Sequence, residues 1–207
     1  MAPCWMNLSG NISWPEGAGI FILLLLSGLI ACSAPDPPRL VIETGRGDIT
    51  VEVYPRKAPI TASNFLCLAD SGVYHGACIY RVVRPGNQPL DPVRIEVIQG
   101  GLYHDSLVSA FPSIEHETTE MTGIRHTDGV ISMARNEPGT ASTEFFICIG
   151  DQPELDFGGV RNPDGQGFAA FGKVVSGMDV VRAIQALPDS GQMLVRPVGI
   201  RQIRRIR

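Results

Sequence analysis

Two short apolar segments joined by a polar crossing, within residues 131–148, constrain the fold of this sequence more than any other feature. Residues 131–134 (ISMA) and 145–148 (FFIC) are apolar, whereas residues 135–144 (RNEPGTASTE) are rich in turn-forming and polar residue types. This pattern is typical of two β-strands with a surface connection. Such a connection can present backbone groups and one aromatic side chain to a groove.

The chain after residue 39 shows further short strands and two helices. The sequence contains 23 Gly and 16 Pro, which indicates many turns. Residues 59–72 and 180–187 have helical spacing of apolar residues. Strands are predicted at residues 40–43, 48–54, 79–83, 95–99, 129–134, 145–148, 168–175 and 198–206. Because strands and helices do not alternate, we predict a mainly β fold: a closed antiparallel eight-stranded barrel capped by two helices.

The charge and the spacing of the histidines argue against a nucleic-acid partner and against a metal site. The formal net charge is −4 and only 18% of residues are charged, so no general basic field indicates nucleic-acid binding. His104, His116 and His126 lack the spacing of metal ligands, and we interpret them as solvated loop side chains. We therefore expect no metal and no nucleic-acid partner, and we expect a monomer.

The N-terminal residues 1–31 predict a signal peptide. Residues 20–31 (IFILLLLSGLIA) carry no charge, and they are shorter than the roughly 20 apolar residues of a membrane span. They suit the core of a signal peptide. Ala31 directly precedes Cys32, and this junction resembles the lipobox of bacterial lipoproteins. Cleavage there would leave Cys32 as an acylated first residue, residues 32–39 as a Pro-rich tether, and residues 40–207 as the folded domain.

Two other interpretations of the leader remain open. Residues 1–19 contain Glu16 and no Lys or Arg, whereas signal peptides begin with positive charge. The leader could therefore be an uncleaved anchor or an ordinary secretory signal. All three interpretations export the domain. We expect it on the periplasmic side of a bacterial envelope, with a lipid anchor in a membrane.

Five short motifs occur in the order found in cyclophilins, and the resemblance covers residues 40–206. They are Tyr80-Arg81-Val82-Val83, Ile98-Gln99-Gly100-Gly101, Ile131-Ser132-Met133-Ala134, Phe145-Phe146-Ile147-Cys148 and Phe171-Gly172-Lys173-Val174. The resemblance implies a peptidyl-prolyl cis-trans isomerase that needs no cofactor and acts on proline-containing segments of exported proteins during folding. A catalytically weak cyclophilin-fold binding or chaperone module is the alternative.

The resemblance also implies the roles of particular residues. Arg81 matches the catalytic arginine, and Gln99 matches the glutamine that binds the substrate backbone and positions that arginine. Phe146 matches the floor of the proline pocket. Further substrate-binding residues are Val97, Leu155 and Phe168 as pocket walls, Ala134, Arg135 and Asn136 as the segment that binds the substrate main chain, and Glu144 beside them.

The chemistry of X–Pro isomerisation agrees with these residue types. The barrier of about 18–20 kcal/mol comes from amide resonance, and no bond is broken, so neither a nucleophile nor a metal is required. In the twisted state the amide nitrogen regains a lone pair. A fixed guanidinium such as that of Arg81 can donate to this nitrogen, since it stays charged and carries several directed donors.

Two acidic residues depart from the family pattern. Glu96 stands where the best-known relatives carry a pocket aromatic, and it follows an inserted loop at residues 84–94 (RPGNQPLDPVR). The aromatic role is therefore unfilled or taken by another residue. Glu144 replaces a frequent glutamine. We expect these two acidic groups near the groove to favour cationic residues beside the substrate proline.

Three cysteines lie in the predicted domain. Cys148 belongs to an apolar strand and is predicted to be a buried thiol. Cys67 and Cys78 could pair in an oxidising compartment, but we favour two buried free thiols.

Overall fold

The computed structural model describes residues 36–206 of the chain. The predicted leader, with the lipobox cysteine Cys32, lies outside the described residues. Within residues 36–206, no helix has the length and apolar character that crossing a membrane requires.

The described residues form nine strands in one antiparallel sheet, and eight of them close into a barrel. The strands are β1 (Arg39–Thr44), β2 (Gly47–Val53), β3 (Cys78–Val83), β4 (Val97–Gly101), β5 (Val130–Met133), β6 (Phe145–Cys148), β7 (Ala169–Ser176), β8 (Asp189–Ser190) and β9 (Met193–Ile206). Their order is β1-β2-β7-β5-β6-β4-β3-β9-β8, and pairing of β9 with β1 closes the barrel. The predicted eight-stranded antiparallel barrel is confirmed, with β8 as a short addition that pairs with β9.

The described residues contain four α-helices rather than the two predicted. Helices α1 (Pro59–Asp70) and α4 (Met178–Gln185) are the predicted ones. Helices α2 (Asp105–Val108) and α3 (Thr119–Thr122) are single turns. Such short helices are too brief to show an apolar period, so their sequence does not reveal them. Two 3₁₀ turns, at Pro85–Asn87 and Pro153–Leu155, complete the helical elements of this part of the chain.

An aromatic cluster fills the barrel beneath helix α1, which packs against β7 and β9. Phe65 of α1 contacts Tyr74, Phe145 and Phe171, with ring centroids 4.9–5.6 Å apart. All four side chains are fully buried. Burial of each aromatic side chain contributes about 2–3 kcal/mol to the free energy of unfolding.

A second apolar cluster lies on the opposite face of the barrel wall. Phe145 and Phe146 are neighbours on β6, and successive side chains of a strand point to opposite faces. Phe145 therefore enters the barrel core, whereas Phe146 belongs to the outer cluster. The other buried members of this outer cluster are Val83, Ile95, Val97, Cys148 and Leu155, with Ala134 and Phe168 partly buried against them.

The cysteines follow the prediction only in part. Cys148 is fully buried, as predicted, and burial raises the pKa of its thiol. Cys67 and Cys78 are free thiols, but Cys67 is exposed and Cys78 is only partly buried. The prediction that both are buried is wrong for Cys67, because it lies on α1 outside the stripe that Ala62, Phe65, Leu66 and Ala69 turn toward the barrel.

Candidate active site

A groove of about 380 Å³ opens above the outer apolar cluster, and it brings together ten of the residues that the sequence predicts there, with Glu96 as the exception. These residues are Arg81, Val97, Gln99, Ala134, Arg135, Asn136, Glu144, Phe146, Leu155 and Phe168. They come from three strands and from the loops that follow β5 and precede β7. The barrel therefore assembles positions that are far apart in the sequence.

The strand register explains why the central residues meet. Arg81 on β3 lies opposite Gln99 on β4, and Gln99 lies opposite Phe146 on β6. Phe146 in turn lies opposite Ser132 on β5. Residues directly opposite one another in antiparallel strands share a face of the sheet. The guanidinium, the amide and the aromatic ring are therefore in one row across the barrel wall.

Apolar side chains form the floor of the groove. The ring of Phe146 meets the ring of Phe168 edge-to-face, with centroids 5.2 Å apart and an interplanar angle of 88°. Val97, Leu155 and Phe146 are each at least 95% buried. A floor of this kind suits an apolar ring, because such contact removes apolar surface from water.

Arg81 is held from two sides by neutral amides. Its Nη1 donates to Oε1 of Gln99 at 2.8 Å. Its Nε and Nη2 both donate to Oε1 of Gln192, at 3.1 and 2.6 Å. Of the five N–H groups of a guanidinium, one on Nη1 and one on Nη2 have no protein partner among the described residues. Burial, followed by the charge of Arg161, lowers the pKa of Arg81, but an arginine stays charged at neutral pH.

The orientation of the Gln99 amide follows from Tyr80 and Glu144. The Tyr80 hydroxyl donates to Oε2 of Glu144 at 2.5 Å, and it accepts from Nε2 of Gln99 at 2.8 Å. An ionised carboxylate only accepts, so the phenol proton is directed to Glu144, and the Gln99 amide must turn its N–H to the phenol. The Gln99 oxygen is then directed at Arg81. Burial, followed by the charge of Glu144, raises the pKa of Tyr80 and keeps it protonated.

A β-bulge brings Tyr80 to the groove beside Arg81. Adjacent residues of a regular strand point to opposite faces, and this alternation gives no reason to expect Tyr80 in the site. The pairing of β3 with β4 shifts between Ile79 and Arg81. A bulge of this kind redirects a side chain. Both Tyr80 and Arg81 therefore line the groove.

Glu144 also requires a glycine opposite it. Its Oε1 accepts from the backbone N–H of Leu102 at 2.6 Å. A Cβ on Gly101 would lie 2.3 Å from the same oxygen, and Gly101 has a φ of +150°. A side chain at position 101 would therefore strain the backbone and force the Glu144 carboxylate out of this position.

Several polar groups of residues 134–136 already form hydrogen bonds within the protein, which the sequence does not reveal. The N–H groups of Ala134 and Asn136 donate to the Glu144 carbonyl and to Oγ1 of Thr140, at 2.9 and 3.1 Å. The Arg135 guanidinium binds the Asp164 carboxylate and the Gly167 carbonyl, and it stacks 5.1 Å from the Phe168 ring. Arg135 therefore fixes the wall of the groove rather than extending into it.

Glu96 does not lie in the groove, contrary to the prediction. Ile95 and Val97 line the groove on either side of it, and the Glu96 side chain takes the opposite direction. Its Oε2 accepts from Nε2 of Gln185 on α4 at 3.3 Å. Ile95 lines the groove here instead of Glu96, and the acidic groove residue of the predicted pair is Glu144 alone.

The inserted loop at residues 84–94 borders the groove through Arg161. The Arg161 guanidinium, which lines the groove, forms an ion pair with Asp91 at 2.8 Å and donates to the Val93 carbonyl at 2.6 Å. No pattern in the sequence predicts this pairing, since Arg161 lies in a Gly-rich loop far along the chain.

His126 is buried behind the floor, and its interpretation as a solvated side chain is wrong. It is 1% exposed. Its Nδ1 lies 2.8 Å from Oδ1 of Asp156, and its Nε2 lies 3.0 Å from Oγ of Ser132. Its ring stacks against Phe146 with centroids 5.9 Å apart. Burial alone would raise the pKa of Asp156, but hydrogen bonds from the His126 side chain and backbone outweigh it and lower that pKa.

Comparisons with known proteins agree with this geometry. Residues 39–205 match the family described as cyclophilin type peptidyl-prolyl cis-trans isomerase/CLD. The chain is 32% identical over 171 residues to a peptidyl-prolyl cis-trans isomerase of Acinetobacter baylyi, covering 82% of this chain and 84% of the relative. It is 30% identical over 149 residues to peptidyl-prolyl cis-trans isomerase B of Escherichia coli, covering 72% and 84%.

Solved structures show the same fold. A crystal structure of a cyclophilin type peptidyl-prolyl cis-trans isomerase of Cryptosporidium parvum matches with a TM-score of 0.64 at 20% identity, covering 83% of this chain and 98% of that chain. A structure from the same organism, in the presence of the dipeptide Ala-Pro, has a TM-score of 0.63, with coverage of 82% and 99%. The chain belongs to the cyclophilin-type peptidyl-prolyl cis-trans isomerase family.

Proposed function

We propose that Arg81 is the catalytic residue for rotation about X–Pro bonds, with Phe146 as the floor beneath the proline ring. The observation that carries this proposal is the cross-strand row of Arg81, Gln99 and Phe146. It places a guanidinium, two of whose N–H groups have no partner within residues 36–206, beside an apolar floor.

The mechanism follows from the loss of amide resonance during rotation. In the twisted state the proline nitrogen regains a lone pair, and an N–H of Arg81 would donate to it. This interaction is weak in the planar ground state, so it stabilises the transition state selectively. The uncatalysed barrier is about 18–20 kcal/mol. The floor formed by Phe146 contributes by holding the ring while the acyl side rotates.

The remaining groove residues bind the substrate on either side of the proline. Val97, Leu155 and Phe168 are the walls that contact the ring. The N–H groups of Ala134 and Asn136 are already used, so we assign main-chain binding to the Ala134 carbonyl and the Asn136 side chain. The substrates are proline-containing segments of polypeptides.

A protease-coupled assay on the full-length protein in detergent tests this function. A proteolytic step that cleaves only the trans form of a proline peptide reports the rate of isomerisation. We expect the wild type to accelerate it and Arg81→Ala to lose most of the acceleration. An inactive wild type would overturn the proposed activity, whereas a fully active Arg81→Ala variant would overturn the assigned mechanism.

We further propose that the protein assists folding on the periplasmic side of a bacterial envelope, anchored through an acylated Cys32. Support comes from the apolar core at residues 20–31, the adjoining Cys32 and the Pro-rich tether. Mass spectrometry of the membrane fraction tests this proposal. The wild type should carry a lipid on an N-terminal Cys32, and Cys32→Ala should not be processed there. An unmodified Cys32 in the wild type would contradict the anchor.

A further inference from the structure

The turn between β8 and β9 holds a residue in a strained conformation. Ser190 pairs with Met193, so Gly191 and Gln192 form a two-residue turn. Both have positive φ, +56° and +75°. In hairpin turns of this kind the second position favours glycine, because a Cβ is disfavoured there. Backbone strain of this sort tends to occur where the side chain has a function.

The Gln192 side chain reaches from this turn to Arg81. Its Oε1 accepts from both Nε and Nη2 of the guanidinium, at 3.1 and 2.6 Å. Its Nε2 donates to the Asn87 carbonyl at 3.3 Å. Since the amide N–H group is used by Asn87, the oxygen is directed at Arg81.

The inserted loop fixes the position of this turn. Asp189 accepts from the Gln192 backbone N–H at 3.1 Å and from Nδ2 of Asn87 at 2.9 Å. It also forms an ion pair with Arg84. The Gln192 carbonyl accepts from the Val82 N–H at 2.8 Å. Hydrogen bonds thus join the 84–94 loop to the β8–β9 hairpin, and together they hold Gln192 against Arg81.

We propose that Gln192 is a positioning residue for Arg81, a role that rests on the proposed catalytic function of that arginine. Gln99 holds Nη1, and Gln192 holds Nε and Nη2, so the two amides together fix the plane of the guanidinium. None of the ion pairs in residues 36–206 involves Arg81. A neutral amide fixes the guanidinium without neutralising the charge that acts on the substrate.

The variant Gln192→Gly separates this role from a structural one. Glycine relieves the positive φ, and this relief offsets part of the stability lost with the hydrogen bonds of the Gln192 side chain. It also removes the acceptor from Arg81, and misplacement of a catalytic group lowers the rate, here by about 10-fold in kcat. We expect KM to change by less than about two-fold, because the apolar floor is intact. Gln192→Asn tolerates the same φ but is too short to reach Arg81, and it should lose as much kcat.

Ser190→Ala is the matched control in the same turn, because Ser190 is exposed and does not line the groove. It should retain wild-type kcat. All variants are measured as full-length protein in detergent. A Gln192→Gly variant with wild-type kcat would overturn the proposal. A variant whose kcat/KM falls only because KM rises would overturn it as well.

An NMR measurement without substrate separates failure of this proposal from failure of the catalytic assignment. The Nε–H resonance of Arg81, identified by its absence in Arg81→Ala, should exchange with water at least about 10-fold faster in Gln192→Gly than in the wild type. Unchanged exchange would overturn the positioning role. If the wild type is inactive yet the exchange accelerates as expected, Gln192 positions Arg81, and the catalytic function is the part that fails.

Discussion

Oε1 of Gln99 accepts a 2.8 Å hydrogen bond from Nη1 of Arg81, across the register of β3 and β4. The same amide donates to Tyr80, whose hydroxyl donates to Glu144. Each hydrogen bond in this series from Arg81 to Glu144 therefore has a fixed donor and a fixed acceptor. The Glu144 carboxylate, at the end of this series of hydrogen bonds, determines the orientation of the Gln99 amide beside Arg81.

Tyr80→Phe should lower activity without removing any group that we expect to contact the substrate. Loss of the hydroxyl leaves Gln99 free to turn its N–H toward Arg81, and it leaves a half-buried acceptor of Glu144 unpaired. We expect kcat/KM to fall about 10-fold and the free energy of unfolding to fall by about 1–3 kcal/mol. Tyr54→Phe, remote from the groove, should retain activity. Wild-type activity in Tyr80→Phe would contradict the orientation of the Gln99 amide by Tyr80.

Gly101→Ala should destabilise the fold more than a positive φ alone explains. Its Cβ would meet the Glu144 carboxylate at 2.3 Å, whereas a Cβ on Gly76, at a φ of +77°, would meet nothing within 4 Å. We expect a loss of about 1–2 kcal/mol for Gly76→Ala and about 3 kcal/mol or more for Gly101→Ala. Denaturant titration measures both. Equal losses would contradict a costly displacement of the Glu144 carboxylate by the added Cβ.

Glu144 should favour a cationic residue beside the substrate proline. Both of its oxygens accept hydrogen bonds, but its net charge remains at the groove. We expect higher kcat/KM for a Lys-Pro than for a Glu-Pro peptide, by about 3-fold for a partly exposed charge pair, and loss of this preference in Glu144→Gln. Glu96→Gln is the matched control and should keep the preference, since Glu96 does not line the groove. Equal turnover of both peptides by the wild type would count against this assignment.

Asp156 should contribute stability that depends on pH. Its pKa is lowered in the folded protein because the His126 donors outweigh the effect of burial. A lowered folded pKa contributes stability above the unfolded value, about 3.9, and that contribution is lost as the pH falls through the folded pKa. We expect the wild type to exceed Asp156→Asn by about 1–2 kcal/mol at pH 6. Calorimetry should show the difference shrinking below about pH 4, and a constant difference would refute the assignment.

The strand positions of the site could be predicted because they obey local rules. Alternation within a strand separates Phe145 from Phe146, and the ordered motifs place Arg81 and Gln99 on neighbouring strands. The same alternation, extended to residues 95–99, would also have placed Glu96 outside the groove. The resemblance of the Ile98-Gln99-Gly100-Gly101 motif to the family places Glu96 at a pocket position, whereas strand geometry does not.

The rest of the site depends on contacts that no local pattern encodes. The bulge at Tyr80 breaks alternation, and Gln192 meets Arg81 only because the β8–β9 hairpin folds onto β3. β9 begins at Met193, earlier than predicted, and Pro197 within it obscures the strand because proline cannot donate to a ladder. Burial of His126 follows from its partners Asp156 and Ser132, which the sequence does not identify as neighbours.

Exchange spectroscopy by NMR on an Ala-Pro peptide tests the central claim most directly, because it observes binding and isomerisation in one sample. With a catalytic amount of the wild type, we predict exchange cross-peaks between the cis and trans forms of the peptide. With Arg81→Ala we predict shifts of the groove resonances on peptide binding and no such cross-peaks. A wild type that binds the peptide without exchanging its isomers would contradict the account and identify a binding module instead.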